Sequence, residues 1–137
     1  MSYESRVFIV LRHELNNPIT DEPYVNALPV AEFDLCCMGR DNEKFFDAFK
    51  TEVDFDLYLP GFDADENEVI LPTRTDCYDE HLKYATLEDL LAALKSSERR
   101  EHYRRLPPLI AALKAFIASK DEWGDRGGEL IAVHYGY

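Results

Sequence analysis

Apolar side chains fall on both parities in residues 6–12, with Val7, Ile9 and Leu11 on one and Phe8 and Val10 on the other. A strand with two apolar faces belongs inside a sheet that is covered on both sides. Asn16-Asn17-Pro18 then predicts a loop continuing to about Pro23. A second strand is expected over residues 30–38, where Ala31, Phe33, Leu35 and Cys37 alternate with Glu32, Asp34 and Cys36. That period of two turns Phe33 and Leu35 inward and Glu32 and Asp34 outward. The connection between these strands is longer than a two-residue hairpin, and antiparallel pairing remains open.

Residues 39–42 break the second strand, and residues 43–50 read as a short helix with Phe45, Phe46 and Phe49 on one face. Residues 53–59 alternate again, Val53, Phe55, Leu57 and Leu59 against Asp54, Asp56 and Tyr58. A strand ended by a Pro60-Gly61 turn is expected there. Residues 68–71 read as a further short strand, closed by Pro72.

The period changes at Thr86. Thr86-Leu87-Glu88-Asp89 resembles a capping box, and Leu87, Leu90, Leu91 and Leu94 follow as one helical stripe. The stripe can run on toward Arg99 and Arg100. Pro107-Pro108 stops that helix and opens another, because proline is tolerated in a first turn. Leu109, Ile110, Leu113, Phe116 and Ile117 supply its apolar face. Gly124 suits its end, Gly127-Gly128 a turn, and residues 129–135 a last strand.

There is no internal repeat or linker, so residues 1–137 read as one domain. Strands, two helices and a closing strand argue for α+β: a mostly antiparallel sheet of about five strands with a C-terminal helical pair on one face. Val7, Ile9, Phe33, Leu35, Leu90, Leu94, Leu113 and Phe116 are expected to share its core.

Composition adds a sign. Asp and Glu number 27 against 15 Lys and Arg, a net charge of −12. With 46% hydrophobic and 12% aromatic residues the chain is not a disordered acidic tail. Direct binding to nucleic acid, which needs a basic surface, is disfavoured. No apolar run approaches the roughly 20 residues of a membrane span, and the N-terminus has no signal-peptide pattern. Three cysteines, Cys36, Cys37 and Cys77, two of them adjacent, fit a reducing cytoplasm.

Residues 52–68 hold Glu52, Asp54, Asp56, Asp63, Asp65, Glu66 and Glu68 and no Lys or Arg. One reading is a solvated face. The other is a surface that meets a basic partner protein, with carboxylates spaced like phosphates. Asp54 and Asp56 share parity in the expected strand and should point the same way, with Asp63, Asp65 and Glu66 extending one exposed face. A basic cluster at Arg99, Arg100, Arg104 and Arg105 is either helix-end compensation or a counterpart to that face, within one chain or between chains.

Other chemistry is thinner. Asp63-Ala64-Asp65-Glu66-Asn67 opens like a calcium loop but puts Glu68 where Gly is needed and Arg74 where Glu is needed. His13, His81, His102 and His134 have no zinc-site spacing, so no metal or cofactor is expected. Cys77-Tyr78-Asp79-Glu80-His81 places a thiol near an imidazole, the ingredients of an activated nucleophile; the plain alternative is a loop cysteine and a surface histidine. Cys36-Cys37 could act as a redox pair only through a strained vicinal disulfide.

The stretch Tyr3-Glu4-Ser5-Arg6-Val7-Phe8-Ile9-Val10, with Glu32-Phe33-Asp34-Leu35-Cys36, resembles the start of small uncharacterised proteins encoded by bacteriophages and prophages. Asp76 through Tyr78, and Thr86-Leu87-Glu88-Asp89-Leu90-Leu91, are similar too. The resemblance implies a bacterial or phage cytoplasmic protein and carries over no catalytic residue. The leading expectation is a non-enzymatic interaction protein that meets a host protein through its acidic surface, in sharper form a DNA mimic or anti-defence inhibitor. The competing expectation is a small enzyme with a site around Cys77 and His81.

Overall fold

The computed structural model describes residues 4–35, 43–95, 106–124 and 128–137. In chain order the elements are β1 (Ser5–Asn16), β2 (Pro23–Asp34), α1 (Glu43–Asp47), β3 (Thr51–Glu52), β4 (Leu57–Phe62), β5 (Glu68–Thr73), β6 (Lys83–Thr86), α2 (Leu87–Lys95), α3 (Leu106–Ala118), α4 (Lys120–Gly124) and β7 (Gly128–Gly136). Five strands make one antiparallel sheet in the order β2-β1-β7-β6-β3, and β4 pairs with β5 in a separate two-stranded sheet. The fold is therefore α+β, with the helical pair on one face of the main sheet.

The two apolar parities of β1 serve two cores. Val7 and Ile9 meet Leu87, Leu90 and Leu94 of α2 and Leu106, Leu109 and Leu113 of α3. Phe8 and Val10 meet Val53, Phe55, Leu57 and Leu82 on the opposite face. Burial on both faces is what an interior strand with an unbroken apolar run from Val7 to Leu11 requires. Leu35 is 3% exposed, and Phe33 and Phe116 pack partly buried against the helical core, as their spacing anticipates. The expected helix over residues 43–50 ends at Asp47; Phe45 within it and Phe49 just after it are buried in that core, and Phe46 is partly buried against it. At the start of α2, the Asp89 N–H donates to Thr86 Oγ1 at 3.1 Å, the expected cap.

Three expectations are corrected. First, β2 begins at Pro23 and pairs back along β1 all the way to Asn16. Asn17 makes this possible: its Oδ1 accepts the Ile19 and Thr20 N–H groups, and Asp21 takes φ 56° to close the loop. Second, residues 53–59 are not one strand. The chain leaves the main sheet after Glu52, bends through residues 53–56 and enters the separate hairpin at Leu57. The alternation survives because Val53, Phe55 and Leu57 all enter the same core, which needs no shared ladder.

Third, Pro60-Gly61 is inside β4, opposite Ile70 and Val69, and Pro72 is inside β5, opposite Tyr58. Both prolines occupy the same ladder parity. That parity tolerates proline when the missing N–H would point away from the partner strand. A Cβ at Gly61 would lie 2.7 Å from Leu71 Cδ1, the mobile tip of a 42% exposed side chain that can swing aside. The second part of the expected second strand, residues 36–38, the break at 39–42, the extension of α2 toward Arg99 and Arg100, and Gly127 lie outside the described residues.

Candidate functional site

The acidic stretch folds around a five-residue turn. Asp63 Oδ1 accepts the N–H groups of Asp65 and Asn67, each at 2.9 Å. The Glu66 N–H donates to the Asp63 carbonyl at 3.1 Å, and the Asp63 N–H donates to the Asn67 carbonyl at 3.0 Å. Glu66 takes φ 63° to complete the reversal. The same device recurs at residues 76–80. Asp76 Oδ1 accepts from Tyr78 at 2.9 Å and Glu80 at 3.1 Å, and Asp79 has φ 64°. A short carboxylate can satisfy two turn N–H groups at once, which explains Asp at the first position of both turns. The calcium-like pattern is thus a turn cap. Among the described residues no group of three or more His, Cys, Asp or Glu side chains is placed to hold a metal.

The seven carboxylates fall into three settings. Asp63, Asp65, Glu66 and Glu68 are exposed at the tip of the β4–β5 hairpin, and none of them has a cationic partner among the described residues. Asp54 and Asp56 lie in the bend, where strand parity does not apply. Asp54 accepts from Arg12 Nε at 3.1 Å and from Nη2, and this pairing holds its carboxyl below its ordinary value. Asp56 accepts from Arg74 Nε at 2.9 Å. Glu52 sits apart, on β3 at the edge of the main sheet. The internal ion pairs therefore use Arg12 and Arg74. The cluster Arg99, Arg100, Arg104 and Arg105 lies outside the described residues, as do Cys36, Cys37 and His102.

The hairpin also carries an apolar face. Paired residues of antiparallel strands point to the same side. Leu57, Leu59, Val69 and Leu71 share one face, where Leu57 is fully buried, Leu59 packs partly buried against the second core and Leu71 is 42% exposed. Tyr58, Pro60, Phe62, Ile70 and Pro72 turn outward, where Tyr58 is 51%, Phe62 71% and Ile70 61% exposed. Glu68, paired with Phe62, ends that row at the acidic tip.

The second candidate region divides. His81 lines an open cleft of about 520 Å³ with Glu52, Asp76, Glu80, Lys83 and His134. Cys77 is exposed and does not line it, and no hydrogen bond joins Cys77 to His81 among the described residues. Desolvation and the Asp76 carboxylate push the Cys77 thiol up, away from the thiolate a nucleophile needs. The site residue hidden from sequence reasoning is His134. It faces Val7 and Lys83 across the sheet, and three rings surround it at centroid distances of 5.6 Å (Phe45), 5.2 Å (Phe46) and 5.4 Å (Phe49). Its Nε2 lies 2.9 Å from Ser5 Oγ. Burial pushes the imidazole down to about 4, so it is neutral at pH 7. The available signal was its inward parity in the last strand, opposite the aromatic run at residues 45–49.

No protein-family model, curated protein or solved structure matches the chain.

Proposed function

We propose that this chain is an acidic protein-interaction module that engages a basic partner protein through the tip of the β4–β5 hairpin. One observation carries the reading. Asp63, Asp65, Glu66 and Glu68 face solvent without a cationic partner among the described residues, on a segment with no Lys or Arg from residue 51 to residue 73. Such a uniform sign speeds encounter with a cationic surface and repels nucleic acid and other acidic surfaces. The partner is one with a basic groove, including proteins that themselves bind nucleic acid. The resemblance to phage and prophage proteins extends the proposal to a host target, with DNA mimicry or defence inhibition as its specific form. No helix among the described residues is long and apolar enough to cross a membrane. The alternative reading, an enzyme built on Cys77 and His81, has less support, because the thiol lies outside the cleft that His81 lines.

The test compares the wild type with a variant carrying Asp63→Asn, Asp65→Asn, Glu66→Gln and Glu68→Gln. Proteins retained from a bacterial lysate by the wild type and lost with the variant are purified, and their association rates are measured. A slower rate for the variant, with a difference that shrinks at high salt, supports the reading. Equal rates for every retained protein overturn it.

A further inference from the structure

Resting on that reading, we infer that the contact itself is made by the outward face of the hairpin, Tyr58, Phe62 and Ile70 with Pro60 and Pro72, and that the partner presents an apolar cleft bordered by Lys or Arg. Three large side chains are 51%, 71% and 61% exposed on one face of one small sheet. Scattered exposed apolar residues are ordinary, but a row of them beside a charged rim marks an interaction surface. The charge specifies the occupant. Glu68 stands opposite Phe62 in the ladder, and Asp63, Asp65 and Glu66 follow directly in the turn, so a complementary surface must be cationic around an apolar centre. A second copy pairing hairpin to hairpin would set one acidic rim against another, in a chain whose net charge is already −12.

The proximity of prolines selects the mode of contact. Pro60 and Pro72 interrupt the outer edges of β4 and β5, one on each strand, and no further strand pairs with either among the described residues. Proline on an edge blocks the addition of a further strand. The hairpin is therefore read by its side chains, not by its backbone. A purely electrostatic mimic of phosphates needs no such apolar row. The row makes the contact one in which charge guides encounter and Phe62 and Ile70 hold the complex.

The experiment uses the full chain and two fluorescent peptides of equal charge, an amphipathic Leu/Lys helix and an oligolysine, read by anisotropy. The wild type should bind the Leu/Lys peptide roughly ten- to a hundredfold tighter than oligolysine, the range expected for burying one or two large apolar side chains. Phe62→Ser and Ile70→Ser should each lower the affinity toward the oligolysine level, with thermal melts confirming that each variant is folded. Equal binding of both peptides, unaffected by either substitution, overturns the inference and leaves the acidic reading standing. Failure of both peptides to bind the wild type at low salt overturns both. A concentration-dependent dimer that Phe62→Ser abolishes assigns the face to a second copy and overturns the partner named here.

Discussion

Arg12 on β1 grips Asp54 across 42 residues of chain, with Nε and Nη2 each donating to one carboxylate oxygen. The side chains are 12% and 49% exposed, so the pair is anchored on its cationic side and open on its acidic side. It pins the bend to the main sheet at the point where the chain leaves for the hairpin. Asp54→Asn should cost about 0.5–1 kcal/mol, the range for a well-oriented but solvent-screened pair. The Asp54 carboxyl is held below its unfolded value, so its contribution is present above about pH 4 and is lost as pH falls through the lower folded value. Urea unfolding at pH 7 should separate the variant from the wild type, and the gap should close under strongly acidic conditions.

His134 should lower stability in the same direction but at higher pH, because its environment favours the neutral form. The unfolded imidazole takes a proton below 6.5, whereas the folded one resists until about 4. Protonation therefore favours the unfolded chain, and stability should fall as pH drops from about 6.5 to 4 and level off below that. The loss is on the order of 3 kcal/mol across that window. An NMR titration of the His134 ring in the folded protein checks the cause directly; a midpoint near 6.5 would refute it.

The register of β2 can be tested by one pair of substitutions. Leu35 is 3% exposed, whereas Glu32 is exposed on the opposite parity. Leu35→Ala should destabilise by about 2–5 kcal/mol through lost burial and a residual cavity. Glu32→Ala should stay within about 0.5 kcal/mol. Similar chemical-denaturation midpoints for both variants would contradict the register, since a slip by one residue exchanges the faces.

The tip turn makes a paired prediction. Asp63→Ala removes the acceptor of two backbone N–H groups and should cost about 1 kcal/mol. Glu66 holds φ 63°, so Glu66→Gly should be neutral or stabilising by up to about 1 kcal/mol. Denaturant midpoints measure both, and amide exchange at Asp65 and Asn67 should quicken in the Asp63 variant alone.

Elements whose pattern reports their own burial were readable from the chain. The two apolar parities of β1 anticipated a strand with a core on each side. The leucines of α2 and the Thr86 cap located that helix start, and Pro107-Pro108 marked the first turn of α3. β6 was missed because four residues, Lys83–Thr86, are too few to show a period. The acidic stretch was found, but its division was not: Arg12 and Arg74, which engage Asp54 and Asp56, carry no local sign of that role.

What the sequence by itself determined is the part of the fold set by short-range physics: which side chains must leave water, where Asp and Asn can cap a turn, and where helices start. Tertiary structure alone decided that the chain changes sheets between Glu52 and Leu57, that Pro60 and Pro72 sit within strands, and that His134 meets three phenylalanines. Side-chain alternation records burial and not the identity of the strand that supplies the hydrogen bonds. That identity, and the neighbours of any one polar group, depend on residues far away in the chain, where loop closure and packing choose among partners that local pattern treats as equal.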